Sequence, residues 1–211
     1  MANLGEIAVT ALSGLGQLVG IRSGTEEPRF SIVEHVGSVE IRHYGPRIAA
    51  EALVSGAAEQ ARNEGFRKVA GYIFGGNTTK ASIAMTAPVV QSRGSSEAIA
   101  MTEPVVQTAD GSGNWRVQFI MPAKYTLATL PVPNDPSVKI VQLPPQDYAV
   151  LRFTGSRSGV AVEAKSAELR GALQGNHWKV SGTPVAWFYD PPWTPSPLRR
   201  NEVALVVTRR P

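Results

Sequence analysis

Two stretches of the chain carry apolar residues at helical spacing. Between Ser55 and Gly76, the residues Ala58, Ala61, Gly65, Val69, Tyr72 and Ile73 share one face at about 100° per residue. The pattern predicts a helix with Ser55 as its N-cap and Gly75-Gly76-Asn77 as its end. A second shoulder of that helix carries Phe66, Ala70 and Phe74, with Arg67 beside it. From Ser158 to Gln174, a stripe of Val162, Ser166, Leu169 and Leu173 predicts a second helix, ended by Gly175-Asn176. Elsewhere apolar positions alternate. Val39, Ile41 and His43 oppose Glu40, Arg42 and Tyr44. Trp115, Val117, Phe119 and Met121 form a period-2 run after the turn Asp110-Gly111-Ser112-Gly113. Residues 4–21 are also apolar at helical spacing but are broken by Gly14, Gly16 and Gly20. They lack the cationic start of a signal peptide and are marginal in length for a span. The reading is a short amphipathic tail over residues 1–24 ahead of a domain at 25–211, with membrane association through 4–21 the weaker alternative and an atypical export signal also open.

The chain echoes itself at an offset of 99 residues: Ser38-Val39-Glu40-Ile41 against Ser137-Val138-Lys139-Ile140, Pro46 against Pro145, Ala50 against Ala149, Gly56 against Gly155. Each copy reads as strand, proline turn, strand and helix. Two such units predict an α+β domain with an internal pseudo-twofold, a curved antiparallel sheet or open barrel with two helices against it. A shorter repeat sets Ile83-Ala84-Met85-Thr86-Ala87-Pro88-Val89-Val90-Gln91 against residues 99–107. Read from the residues alone, its copies pair as a hairpin, with proline at a strand edge or bulge and Met85 and Met101 packed in the core.

Composition narrows the chemistry. With 211 residues, 43% of them apolar, the chain can bury a core unaided. Cysteine is absent, which excludes disulfides, thiolate metal sites and thiol catalysis. The net charge of +4 is dispersed, so no nucleic-acid partner is expected. No phosphate-binding loop or H-E-x-x-H is present, and the three histidines lack metal-ligand spacing. Gly155-Ser156-Arg157-Ser158-Gly159 has arginine where a nucleophile elbow needs serine.

The Ile83–Val89 element resembles the signature of the SOUL haem-binding protein family. Val39–Tyr44, Gly65-Phe66-Arg67, Tyr72–Asn77, Phe119–Pro122, Asp190–Pro195 and Leu198–Glu202 agree with it in family order, over about residues 26–208. The resemblance implies a distorted β-barrel with two flanking helices and an internal pseudo-twofold. It implies binding of haem or a related tetrapyrrole in an apolar groove beside the first helix, and it does not by itself imply catalysis. The slot would be Phe66, Ala70 and Phe74 with the loop Tyr189–Arg200, whose Pro191, Pro192, Pro195 and Pro197 stiffen it around Trp193. Arg67, Lys68, Arg199 and Arg200 are candidates for the propionates. His43 is the candidate axial ligand, because Arg42–Pro46 resembles the stretch of one branch in which a histidine has been proposed to hold the iron. The plainer readings stay open: core packing for the aromatics, solvated cations, a buried structural histidine. His35 and His177 have no motif behind them. The expected function is a cytoplasmic, non-catalytic, reversible haem carrier or buffer. One alternative is an enzyme acting in the same pocket with Glu40, Glu51 or Glu103 as base, since the fold resembles effector-binding domains of bacterial regulators with some hydrolase relatives. Another is an interaction module working through the N-terminal segment.

Overall fold

Nine antiparallel strands and two helices build the computed structural model, which describes residues 25–93, 114–191 and 193–210. The predicted N-terminal helix, the second copy of the short repeat and the turn at 110–113 lie outside the described residues. In chain order the elements are β1 (Phe30–Val36), β2 (Val39–Tyr44), β3 (Arg47–Ser55), α1 (Ala58–Ile73), β4 (Val89–Arg93), β5 (Asn114–Ile120), β6 (Val138–Leu143), β7 (Gln146–Phe153), α2 (Gly159–Ala172), β8 (Trp178–Phe188) and β9 (Asn201–Arg209).

The sheet runs β1-β2-β7-β9-β8-β4-β5-β3-β6, so β1 and β6 are its edges. It is a curved open sheet, as the alternation suggested, and is not closed into the distorted β-barrel that the family resemblance implied. Strand, strand, helix occurs twice, as β2-β3-α1 and β6-β7-α2. Neither strand pair forms a hairpin. Instead β2 pairs with β7 and β3 with β6. Pro46 and Pro144-Pro145 occupy the two connections, where proline offers no donor to a ladder. Likewise β4 has partners on both sides, β5 and β8, through Val89–Ser92, so its ladder groups are not available to a repeat-to-repeat hairpin there.

Each helix covers half of one face. Ala61, Val69, Tyr72 and Ile73 of α1 pack on Val117, Phe119 and Ala52. Leu169 of α2, with Leu173 just beyond it, packs on Val39, Ile41, Leu205 and Val207. A third cluster joins Tyr44, Ala49, Val90, Ile120, Val150, Trp187 and Ala204, from strands at both ends of the sheet order. The sheet therefore curls around its helix-free face. That explains why the alternation in β5 understated burial: Gln118 and Ile120 are buried as well as Val117 and Phe119.

Local signals set the helix ends unequally. Ser158, where the second helix was expected to begin, caps α2, its Oγ accepting from the Ala161 N–H at 3.3 Å. Ser55 does not cap α1; it ends β3, and its hydroxyl donates to Asn114 Oδ1 at 2.6 Å. At the far end Gly75 has φ +105°, and a Cβ on Gly76 would stand 2.6 Å from the Gly71 carbonyl oxygen. Gly65 lets α1 approach β5: a Cβ there would meet Val117 Cγ2 at 2.5 Å. Gly65→Ala is expected to cost about 1–3 kcal/mol by overpacking, measured by urea unfolding.

Candidate functional site

The α1 shoulder steps from core to solvent. Phe66 is half-buried against Phe119, ring centroids 5.2 Å apart. Ala70 is buried, whereas Phe74 is 64% exposed. Arg67 is exposed, two turns from Phe74 and on the same side of the helix. Beyond Arg67, a hollow of about 550 Å³ is lined by Glu64, Arg67, Lys68 and Gly71, with Asn134 and Asp135 across it.

The loop Tyr189–Arg200 is fixed by polar contacts rather than by its tryptophan. Trp193 is 62% exposed, while its neighbour Thr194 is fully buried. Asp190 Oδ2 accepts from the Arg200 N–H at 2.6 Å, and Arg199 Nε donates to the Thr194 carbonyl at 2.7 Å. The Gly155 N–H donates to Ser196 O, and Arg157 Nη1 donates to Asp190 O, both at 3.0 Å. The loop thus leans on the approach to α2. Just ahead of the loop, at the end of β8, the Phe188 ring lies under the Arg62 guanidinium of α1.

Arg200 does not reach out toward a ligand. Its guanidinium pairs with Glu27 and Glu202, both at 3.0 Å, and stacks on the Tyr189 ring at 3.8 Å. Glu202 is fully buried and also accepts from Arg42 at 2.9 and 3.2 Å and from the Tyr189 hydroxyl at 2.7 Å. Burial alone would raise its pKa, but the bonds from Arg42 and Tyr189 and the charges of Arg42 and Arg200 hold it below the usual carboxylate value. Reading residues one by one missed this network. Its signal in the chain is a lone acid inside the apolar run of β9.

His43 lies on the face of β2 that carries Val39 and Ile41, but past the end of that core. Its side chain is 48% exposed rather than buried, and Nδ1 is 2.6 Å from Asp147 Oδ1. A carboxylate on one ring nitrogen orients the other outward, as behind many metal-bound imidazoles. The topology places it on the half of the sheet covered by α2, away from Phe66, Ala70 and Phe74 on α1. His177 bonds Glu34 at 2.9 Å beside Trp178, and His35 is exposed on β1. Met85, expected in the core, is 36% exposed because it lies in the irregular approach to β4. Among the described residues no group of three or more His, Cys, Asp or Glu has the arrangement of a metal site.

A family model for SOUL heme-binding proteins matches residues 25–206. The chain belongs to the SOUL heme-binding protein family. Heme-binding protein 1 of Sus scrofa is 28% identical to this SOUL chain over 165 residues, 77% of the chain and 79% of the relative. The crystal structure of the EcmrR C-terminal domain superposes with a TM-score of 0.55 at 11% identity, covering 81% of the SOUL chain and 97% of that domain. A hydrolase from Listeria innocua superposes with a TM-score of 0.52 at 13% identity, covering 81% and 92%. These two likenesses are of fold alone.

A haem asks for an apolar wall, cations for two propionates and, optionally, an axial ligand. Phe74 offers an exposed ring continuous with Ala70 and Phe66, and Arg67 stands about 10 Å along the axis from Phe74, at 1.5 Å per residue. Among the described residues no helix is long and apolar enough to cross a membrane.

Proposed function

We propose that this SOUL-family protein binds haem or a related tetrapyrrole reversibly, as a carrier or buffer, with the macrocycle against the α1 shoulder. Phe66 and Ala70 form the floor, Phe74 the exposed wall, and Arg67 takes a propionate. Trp193, on its proline-rich loop, is a further exposed ring for a flat ligand. The observation that carries this reading is Phe74: a large ring, 64% exposed, at the end of a helix whose other large apolar residues are buried or half-buried. Exposed rings of this kind are where flat ligands gain most by burial, at about 25 cal/mol per Å² of apolar area. Reversibility follows from an open wall and from the absence of cysteine for covalent attachment. A cytoplasmic place for this carrier is part of the proposal.

The test is a side-by-side titration with haemin and metal-free protoporphyrin, followed by the Soret band and tryptophan quenching. Both are expected to bind saturably and with similar affinity, because the macrocycle supplies most of the contact. Absence of saturable binding at micromolar protein refutes the proposal. Binding of haemin alone would shift the emphasis from macrocycle to iron.

A further inference from the structure

Between the two helices lies a second surface with different chemistry. A cleft of about 650 Å³ is floored by Gln91 of β4 and Ala186 of β8 and walled by the starts of α1 and α2. Three guanidiniums line it: Arg62 on α1, Arg93 at the end of β4 and Arg157 just ahead of α2. They are held in place. Arg62 Nη1 donates to the Arg157 carbonyl at 3.2 Å, and Arg157 Nη1 donates to the Asp190 carbonyl at 3.0 Å. Both sit over the Phe188 ring, 5.0 and 5.8 Å from its centre, and Arg93 lies 5.4 Å from the centre of Trp115.

Countercharge is thin. Arg62 has Glu59 at 3.8 Å, but that carboxylate is largely in solvent. Glu163 lines the cleft, and Asp190 acts on Arg157 from beneath. Among the described residues neither Arg93 nor Arg157 makes an ion pair with a carboxylate. Burial, followed by the nearby charges of Arg62 and Arg199, brings the Arg157 guanidinium down to about 10. Cations forced this close while partly desolvated raise the free energy of the site, and an anion seated among them lowers it. Beside the arginines the lining has an apolar part, Trp115, Val160, Val162, Pro184 and Ala186, and a polar part, Gln91, Glu163, Ser166 and Thr183. A bare inorganic anion would leave the apolar part wet.

We propose that this cleft is a binding site for a small aromatic carboxylate, its ring against Trp115, Val160 and Pro184 and its carboxylate among Arg62, Arg93 and Arg157. The volume suits such a ligand, since small-molecule pockets span about 300–1,000 Å³. The cleft opens at the start of α1 and the tetrapyrrole wall is centred at its end: Phe66, on the wall's near margin, is one turn from Arg62, whereas Phe74 is twelve residues away, about 18 Å along the axis. The proposal does not depend on the haem reading.

The probe is 1-pyrenebutyrate, titrated by fluorescence into the full-length protein, with the neutral 1-pyrenebutanol as control. The acid is expected to bind saturably and about tenfold or more tighter than the alcohol, as one charge-assisted bond implies. Arg157→Gln and Arg93→Gln each weaken the acid about tenfold and leave the alcohol unchanged. Saturating haemin and Phe74→Asp both leave the acid's affinity unchanged. If Arg157→Gln fails to fold, Arg93→Gln at the exposed end of β4 carries the test. Equal affinity for acid and alcohol overturns the proposal, as does insensitivity to the arginine variants. Displacement by inorganic phosphate at similar concentration overturns the aromatic class. Stoichiometric displacement by haemin overturns the separateness of the site and makes the cleft part of the tetrapyrrole surface.

Discussion

Replacing Glu202 by alanine is expected to cost about 3–5 kcal/mol of folding stability, the range for removing one partner of a buried ion pair. The carboxylate is fully buried, and it answers two guanidiniums and a phenol. Without it, Arg42, whose side chain is only 5% exposed, keeps Glu40 alone as a carboxylate partner. Arg200 keeps Glu27, and the Tyr189 hydroxyl loses its acceptor. Glu202→Gln retains an acceptor of the same shape and is expected to lose less. The network also sets a pH dependence. The folded pKa of Glu202 lies below its unfolded value, so its contribution is complete above the ordinary carboxylate range and fades as pH falls through the folded value. Tyr189 remains the donor throughout, since burial, reinforced by the Glu202 charge, pushes its phenol well above the usual range. Urea midpoints measured against pH check this: wild type loses stability on acidification, and Glu202→Gln loses less over that interval. A Glu202→Ala protein within about 1 kcal/mol of wild type would mean that the network behaves like a surface pair.

Phe74→Asp is expected to weaken haemin binding about 10- to 100-fold while leaving the urea midpoint unchanged. The ring is mostly in solvent, so little packing is lost in the free protein. Covered by a macrocycle, a phenylalanine contributes about 1.5–3 kcal/mol, and each 1.4 kcal/mol is tenfold in affinity. Phe66→Asp is a poorer probe, because Phe66 packs on Phe119 and its loss disturbs the core. His43→Ala provides the contrast. His43 lies on the α2 half of the sheet, so both haemin affinity and the Soret band are expected to stay as in wild type. A changed Soret band in His43→Ala, with Phe74→Asp silent, would move the haem to the other half of the molecule.

The success of the sequence reading was uneven for reasons visible in individual residues. The buried stripe of α1 matched because Ala61, Gly65, Val69, Tyr72 and Ile73 recur at the helical period. The start of α2 at Ser158 was legible because what fixes it is local: the cap bonds within three residues of itself. Ser55 misled for the same kind of reason in reverse: its partner, Asn114, is 59 residues away on β5. Arg200 looked like a free cation beside a proline-rich loop until Glu27, 173 positions earlier, was brought beside it. The placement of Phe74 outside the core and of Phe66 half inside it depends on how α1 rolls onto β5, which no single segment records.

Helix positions, the alternation of the strands and the kinship with haem-binding proteins are all contained in short stretches of chain. Periodicity, capping and turn chemistry are local, and so is a family signature. Long-range strand pairing alone decided that the sheet stays open, that Arg42 finds Glu202 across 160 residues, and that Arg62, Arg93 and Arg157 converge on one cleft. Charges distant in sequence acquire their meaning only when backbone pairing sets them side by side and strips away their water, and composition carries no record of that.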